Sequence, residues 1–427
     1  MPQAHQASPA AVAVPLEALS PAEPWRPSTG PSIWFTVAAL VVYRVGTYIP
    51  IPGIDIVAFE ETFKAQSSGI LGMFNMFAGG AVERMAIFAL NVIPYIFALI
   101  IVQLATSLVP SLGALKNEGE QGRKQINQYA RYLTVALAAF QAYTIAYWLE
   151  GSDAVVTQPG LFFRITTVVT MVGGTLFLMW LGEQITTRGI GNGTSLIVMS
   201  SIVASLPGAL AGLLELSRQG AISWPLLIAL FGLMLAVVAA IVFVERAQRR
   251  LLIADPGLQG GMSRLPLKLN CSGVIPPILA SSLLLLPITI VQFSAGTGAD
   301  WLNAIVASLG RGQPLYLLIY VALIVFFVFF YTPIAFNPQE AADDLRKHNR
   351  FVPGIRPGAR TAEYIDYVLT RITVIGAIYV AAVCVLPELV FHYADVPFYF
   401  SGSALLIVVV GMLELLADLS RSGHLRR

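Results

Sequence analysis

Residues 91–98 read NVIPYIFA, and residues 273–280 read GVIPPILA. Both stretches follow the pattern V-I-P-x-I-x-A inside a long apolar segment. Matching proline-interrupted segments in two parts of a chain indicate inverted halves with a pathway between them. Chance similarity is the alternative, because apolar segments use few residue types. Each proline lacks an amide hydrogen and is expected to bend its helix, either as an ordinary kink or as part of a moving seam.

The composition places the chain in a membrane. Of its 427 residues, 56% are hydrophobic and only 12% are charged, whereas soluble domains carry roughly 25% charged residues. Apolar runs of about 20 residues are long enough to cross a bilayer as helices. The predicted spans are 32–49, 86–108, 131–149, 162–182, 195–214, 223–244, 271–293, 314–335, 370–391 and 398–417. The predicted fold class is an all-α polytopic membrane protein with ten transmembrane helices in two inverted five-helix halves.

The distribution of basic residues predicts the orientation of the chain. Lysine and arginine are concentrated in alternate loops, among them 245–270 and 336–371. By the positive-inside rule, these loops and both termini are predicted to be cytoplasmic. The predicted organisation is a disordered cytoplasmic tail 1–30, an N-terminal half 31–222, a C-terminal half 223–420 and a cytoplasmic tail 421–427.

Residues 67–85, SSGILGMFNMFAGGAVERM, form an unusual connection between the first two predicted spans. The apolar part, 69–80, is too short to cross a membrane and too rich in Met, Phe, Ile and Leu for a solvated loop. The pattern predicts a segment that folds back toward the membrane. A re-entrant loop at the interface is the simplest form of this prediction.

Few ionisable groups fall inside the predicted spans. Arg44 and Glu414 lie toward span ends, where they are expected to snorkel, and no carboxylate or histidine is placed to bind a proton or sodium ion. Because transporters usually keep such groups in the membrane, a passive conduit is favoured over a small-molecule secondary transporter. An intramembrane enzyme is a third alternative, but the four histidines are scattered and no HExxH motif occurs. No cofactor or metal is predicted, and GIGNG (189–193) predicts a tight turn before the fifth span.

The loop 336–371 contains two further structural signals. Asn337 and Pro338 are suited to the N-cap and first position of a helix. The following PGIRPG (353–358) cannot continue as helix, so it predicts a rigid turn that projects Arg356 into the cytosol. Thr361 is expected to cap the next helix. The alternatives for Arg356 are a solvated basic loop and a docking point for a partner.

Several longer stretches together resemble one family. They are IPIPGID (49–55), MFNMFAGGA (73–81), EGEQGRKQINQYARY (118–132), MWLGEQITTRGIGNGTS (179–195), LPLKLN (265–270), FVPGIRPG (351–358), TAEYIDYVLTRIT (361–373) and VPFYF (396–400). The chain resembles the SecY/Sec61-alpha family, the channel subunits of Sec protein translocases. The resemblance implies a central pore between the two halves. It also implies a gated channel that passes unfolded secretory polypeptides across the inner membrane and releases transmembrane segments sideways into lipid.

The resemblance also implies four groups of site residues. The pore ring maps onto Val92, Ile96, Thr194, Val198, Ile278 and Ile407. The plug, within 69–80, maps onto Gly69, Ile70, Leu71, Met73, Phe74, Asn75, Met76, Phe77, Gly79 and Gly80. The lateral gate, between spans two–three and seven–eight, includes Pro94, Gln103, Asn270 and Pro276. Docking of a cytosolic driver is expected at Arg249, Arg250, Arg356 and Arg360.

The partners that the resemblance implies are SecE-like and SecG-like membrane subunits, and either a SecA motor ATPase or a translating ribosome. Signal sequences, nascent polypeptides and membrane lipid are the other expected contacts, and nucleic acid is expected only through the ribosome. Two departures from the family pattern stand out. The loop tip between Arg250 and Leu265 is short, with Arg264 as its one cation, and Thr194 and Val198 stand where isoleucines are expected. A specialised paralogue is therefore a further alternative.

Overall fold

The structure, a computed structural model, describes residues 29–66, 75–117, 120–151, 155–220, 223–254, 262–281, 283–284, 313–393 and 402–421. Within these ranges, seven helices are long and apolar enough to cross a membrane. Two shorter apolar helices cover Gly30–Gly46 and Ile93–Thr106. The predicted all-α polytopic class is confirmed, and the predicted count of ten spans is consistent with this fold.

Most helices follow the predicted spans, and several extend beyond them. The α-helices are α1 Thr29–Gly46, α2 Ile56–Gln66, α3 Ile93–Leu108, α4 Pro110–Asn117, α5 Glu120–Glu150, α6 Leu161–Arg188, α7 Gly193–Arg218, α8 Trp224–Arg246, α9 Pro314–Ala335, α10 Pro338–Lys347, α11 Ala359–Tyr393 and α12 Gly402–Arg421. The described part of the seventh predicted span is helical at 275–281 and 283–284.

Two copies of the V-I-P-x-I-x-A pattern adopt the same local structure. Asn91 and Gly273, which precede the pattern, both have left-handed backbone conformations, with φ of 52° and 63°. A helix then begins at residue 93 in one copy and at residue 275 in the other. Pro94 and Pro276 are thus second residues of helices, where a missing amide hydrogen costs nothing.

This arrangement corrects two sequence predictions. The second span was expected to be helical over 86–108, but α3 begins only at Ile93. The prolines were expected to bend continuous helices, but each stands at the start of one. The reason is the left-handed residue just upstream, which an α-helix cannot contain.

Three apolar clusters organise the membrane-embedded part. One, in the N-terminal half, joins α2, α5 and α6 to the segment 78–90. A second, in the C-terminal half, joins α8, α9, α11 and α12. The third lies between the halves, because it combines residues of α1, α6 and α7 with residues of α12. This central cluster contains most of the candidate site.

A β-hairpin that the sequence reading did not predict follows α8. Strand β1 (Gln248–Ala254) pairs antiparallel with β2 (Met262–Lys268). One face of the hairpin packs on α10 and α11 through four apolar side chains, namely Leu251, Ile253, Leu265 and Leu267. Their period-2 alternation was the available signal for two strands.

Candidate pore and plug

The central cluster brings together five of the six predicted pore-ring residues. Val92, Val198 and Ile407 are buried in it, and Ile96 and Ile278 pack against it. They come from five separate positions in the fold: the residue before α3, α3 itself, α7, the helical stretch 275–281, and α12. Branched apolar side chains from both halves therefore converge in one cluster.

Thr194, the sixth predicted residue, lies in the first turn of α7. The Thr194 hydroxyl lies beside α6. A Cβ added to Gly182 of that helix would be 3.3 Å from the hydroxyl oxygen. The turn is set by Asn192, whose side chain accepts hydrogen bonds from the amides of Thr194 and Ser195 at 3.1 and 3.4 Å. The predicted tight turn at GIGNG is thus confirmed, and Asn192 is the N-cap of α7.

The described end of the predicted plug packs into the same cluster. Met76 and Phe77 are buried there, 7% and 8% exposed, beside Val92, Val198 and Ile407. The predicted plug residues Gly69, Ile70, Leu71, Met73 and Phe74 lie outside the described residues.

The plug end is also closed on itself by hydrogen bonds. The amide of Gly80 donates to the carbonyl of Asn75 at 2.9 Å. The Asn75 side chain accepts from the amide of Glu83 at 2.9 Å and donates to its carboxylate at 3.2 Å. Gly79 has a φ of +65°, and a Cβ there would lie 3.1 Å from the Cα of Ser201 in α7. A glycine is therefore required for this approach.

Arg44, which was expected to snorkel, also bonds to the end of the predicted plug. It is half-buried, and its Nη1 donates to the carbonyl of Gly79 at 2.7 Å. Its Nη2 donates to the hydroxyl of Tyr48 at 2.9 Å. Arg84 lies over the same Tyr48 ring, 4.3 Å from its centroid, and donates to the carbonyl of Gly80 at 3.3 Å. Two arginines thus donate to consecutive carbonyls at the end of the predicted plug.

A seam between the halves runs along one face of α3. Ile96, Ile100 and Leu104 are spaced by four residues, so they share a face of the helix. Ile100 is only 5% exposed and belongs to the cluster of the C-terminal half, with Leu279 and Leu284 of the facing helix. Ile100 and Leu104 were not predicted as gate residues, although their four-residue spacing from Ile96 was a signal for a shared helix face. The seam is apolar and closed.

The predicted lateral-gate residues have different positions. Pro94 and Pro276 are the second residues of α3 and of the helix that begins at residue 275, and Gln103 lies half-buried in α3. Asn270 is buried and donates from Nδ2 to Glu245 Oε1 at 2.8 Å and to the carbonyl of Gly273 at 3.1 Å. These bonds tie the start of the 275–281 helix to the end of α8.

The predicted docking residues lie close to the hairpin and to the start of α11. Arg249 and Arg250 are exposed on β1, and Arg356 and Arg360 are exposed near the start of α11. A backbone bridge between Ala254 and Phe351 joins the hairpin to the turn that carries Arg356.

Two expectations for the loop 336–371 have opposite outcomes. Asn337 caps α10, as predicted, by accepting from the amide of Gln339 at 3.0 Å. Thr361 does not cap a helix, because α11 already begins at Ala359. Instead its hydroxyl donates to the carbonyl of Arg356 at 2.9 Å, which fixes the turn from within.

One ionisable residue inside a predicted span was not considered in the sequence analysis. Glu388, inside the predicted ninth span, is 7% exposed in α11 and was passed over. Among the described residues, no group of three or more His, Cys, Asp or Glu side chains is arranged to hold a metal ion.

Comparisons with known proteins agree on one family. The SecY family model matches residues 86–416. The chain is 49% identical to protein translocase subunit SecY of Escherichia coli K12. The alignment spans 395 residues and covers 90% of this chain and 89% of that protein.

Solved structures share the fold at low sequence identity. One was described as showing that the plug domain of the SecY protein stabilises the closed state of the translocation channel and maintains a membrane seal. It matches with a TM-score of 0.68 at 17% identity, over 95% of this chain and 96% of that chain. Sec61 in the canine ribosome–channel complex from the endoplasmic reticulum matches with a TM-score of 0.65 at 16% identity, over the same shares of the two chains.

Proposed function

This chain belongs to the SecY family, and on that premise we propose that it is a gated protein-conducting channel. It passes unfolded secretory polypeptides across the membrane and releases transmembrane segments sideways into lipid. The observation that carries the proposal is the packing of Met76 and Phe77 against Val92, Val198 and Ile407. The end of a re-entrant segment thus fills the space where side chains of both halves converge.

The apolar lining of this space suits a seal. A ring of branched apolar side chains conforms to a passing chain and resists ions, since a narrow apolar constriction excludes water. We assign the pore ring to Val92, Ile96, Thr194, Val198, Ile278 and Ile407. Thr194 is the weakest member, because its hydroxyl lies against α6.

Lateral release is proposed to occur at the α3 seam. Ile100 belongs to the apolar cluster that also contains Leu279 of the helix that begins at residue 275, and Ile96 and Leu104 pack against that cluster. An apolar signal segment that enters there exchanges one apolar contact for another, whereas a polar segment loses hydration. Only a segment with this difference in affinity shifts the gate toward its open state.

The exposed arginines support a cytosolic driver as partner. Arg249, Arg250, Arg356 and Arg360 lie on a single body made of the hairpin, α10 and α11. The driver is a SecA motor or a translating ribosome, and the family's small SecE-like and SecG-like subunits complete the complex. The proposed location is the bacterial inner membrane, with both termini and the loops 245–270 and 336–371 in the cytoplasm.

Ion conductance in planar bilayers tests this function. The full chain is compared with a variant that lacks residues 69–80, and a variant that lacks residues 2–28 serves as a deletion control. We expect a quiet membrane for the full chain and for the control, and large frequent openings without 69–80. If the plug-deleted protein is folded and silent, the pore assignment fails, and uptake of small solutes becomes the next measurement.

A further inference from the structure

We infer that three buried polar side chains, Tyr43, Asn91 and Ser201, form a latch that positions the end of the plug and sets how readily the channel opens. The inference rests on the proposed gating function and names positioning residues for it. Tyr43 lies in α1, Asn91 in the turn before α3, and Ser201 in α7. Together they hold two carbonyl groups of the plug, those of Phe77 and Ala78.

The latch is a connected set of hydrogen bonds. Nδ2 of Asn91 donates to the carbonyl of Phe77 at 2.6 Å and to Oγ of Ser201 at 3.1 Å. The hydroxyls of Tyr43 and Ser201 share a hydrogen bond of 2.5 Å. The Tyr43 hydroxyl also reaches the carbonyl of Ala78 at 3.4 Å. The plug end is thus bonded directly to Tyr43 of α1 and to Asn91, and both of these side chains are bonded to Ser201 of α7.

Burial makes these bonds energetically important. Asn91 and Ser201 are fully buried, and Tyr43 is 1% exposed. A polar group that loses its partner while it stays buried is left unsatisfied. When the plug leaves its seat, the amide of Asn91 loses the Phe77 carbonyl, so the closed state is favoured by the network itself.

The internal repeat shows that the backbone does not require this asparagine. Asn91 corresponds to Gly273 in the second copy of V-I-P-x-I-x-A, and both residues are left-handed. Glycine serves that conformation equally well. The backbone conformation therefore does not account for the side chain of Asn91, whose bonds have no counterpart at Gly273.

The orientation of the Asn91 amide is also determined. Its Oδ1 accepts from the amide of Val92 at 2.8 Å, at the start of α3. With the oxygen held there, Nδ2 is directed toward the Phe77 carbonyl. The Asn91 side chain therefore connects the start of α3 to the plug. Movement of α3 and release of the plug are coupled through it.

The test uses Asn91→Gly, which keeps the left-handed backbone and removes the amide, and Tyr43→Phe, which removes one hydroxyl. Ser200→Ala is the matched control, because the Ser200 hydroxyl donates only within α7, to the carbonyl of Ile197 at 2.9 Å. Hydrogen exchange of peptide 75–85 in nanodiscs and the open fraction in planar bilayers are measured on the complete chain.

We expect faster exchange of 75–85 in both latch variants and an open fraction raised roughly five- to hundredfold in Asn91→Gly, the range that loss of a buried hydrogen bond predicts. Ser200→Ala should match the unmodified chain. Unchanged exchange and unchanged opening in both variants, while deletion of 69–80 opens the channel, would overturn the latch alone. If the deletion is silent but exchange still rises, the channel function fails and the latch stands as a structural contact.

Discussion

Arg44 and Gly79 connect the end of α1 to the end of the proposed plug. The guanidinium of Arg44 donates to the Gly79 carbonyl at 2.7 Å and is half-buried beside it. A charged donor forms a stronger hydrogen bond than a neutral one. The position of the plug therefore depends on a residue that the sequence presents only as a charge near a span end.

Replacing Arg44 with methionine is expected to loosen the plug. The substitution keeps most of the apolar stem and removes the donor to Gly79, so the closed state loses one charge-assisted bond. We expect the open fraction in planar bilayers to rise by about threefold to thirtyfold. Arg218→Met, at an exposed arginine at the end of α7, is the control and should leave conductance unchanged. Equal conductance in the two variants would show that Arg44 does not hold the plug.

Gly174 and Gly173 offer a matched pair for stability. A Cβ on Gly174 would collide with the carbonyl oxygen of Ile87, whereas a Cβ on Gly173 meets nothing within 4 Å. Both residues lie within α6. We expect Gly174→Ala to lower the free energy of unfolding by about 1–3 kcal/mol through overpacking. Gly173→Ala should be neutral or slightly stabilising.

The measurement for this pair is thermal unfolding in detergent, followed by tryptophan fluorescence. Similar melting temperatures for the two alanine variants would contradict the close approach of the 78–92 segment to α6. A loss confined to Gly174→Ala would support the described path of that segment.

The α3 seam predicts a second matched pair. Ile100 is 5% exposed in the cluster shared with the facing helix, whereas the neighbouring Ile101 is 45% exposed. Ile100→Ala should remove roughly 2 kcal/mol of packing from the closed gate. The channel should then transport proteins whose signal segments are less hydrophobic. Ile101→Ala should leave this minimum signal hydrophobicity, the threshold for transport, unchanged.

Translocation into vesicles of a set of secretory substrates with graded signal hydrophobicity measures this threshold. Both proteins must be equally abundant in the vesicles. If the Ile100→Ala variant and the unmodified chain then have the same threshold, the proposed role of the α3 seam is wrong.

Arg356 predicts an effect on driven transport without an effect on the pore. Arg356→Glu reverses the charge of an exposed side chain whose turn is held by Thr361. We expect transport driven by a SecA motor to fall at least tenfold, because like charges replace opposite ones at a docking surface. The conductance of the plug-deleted channel should not change.

The control for this prediction is Arg188→Glu, at another exposed arginine in the last turn of α6. A similar loss in both variants would indicate a general effect of surface charge and would contradict a specific docking role for Arg356.

Local signals in the sequence predicted local structure well. The eighth span was expected at 314–335, and α9 covers Pro314–Ala335. The cap at Asn337 and the turn at GIGNG were also confirmed. These features depend on bilayer thickness and on bonds between residues close in the chain, so a short window of sequence contains the information.

The non-helical segment before α3 shows where such windows fail. Residues 86–92 were expected to be part of the second span, yet 78–92 form turns held by distant partners. Asn91 bonds to Phe77 and Ser201, and the Ile87 carbonyl lies against Gly174. A helix would satisfy the same backbone groups internally, so only these long-range contacts make the irregular path favourable.

The sequence by itself determined the membrane class, the approximate spans, the paired prolines and the family, because hydrophobic length and motif spacing are properties of the chain alone. Only the tertiary structure decided that the prolines begin helices, that Arg44 turns to the plug, and that Leu251 and Leu265 lie on a hairpin. Each of these depends on which distant groups are available as partners. Polar groups buried in a membrane take the nearest partner, and that partner is known only once the helices are assembled.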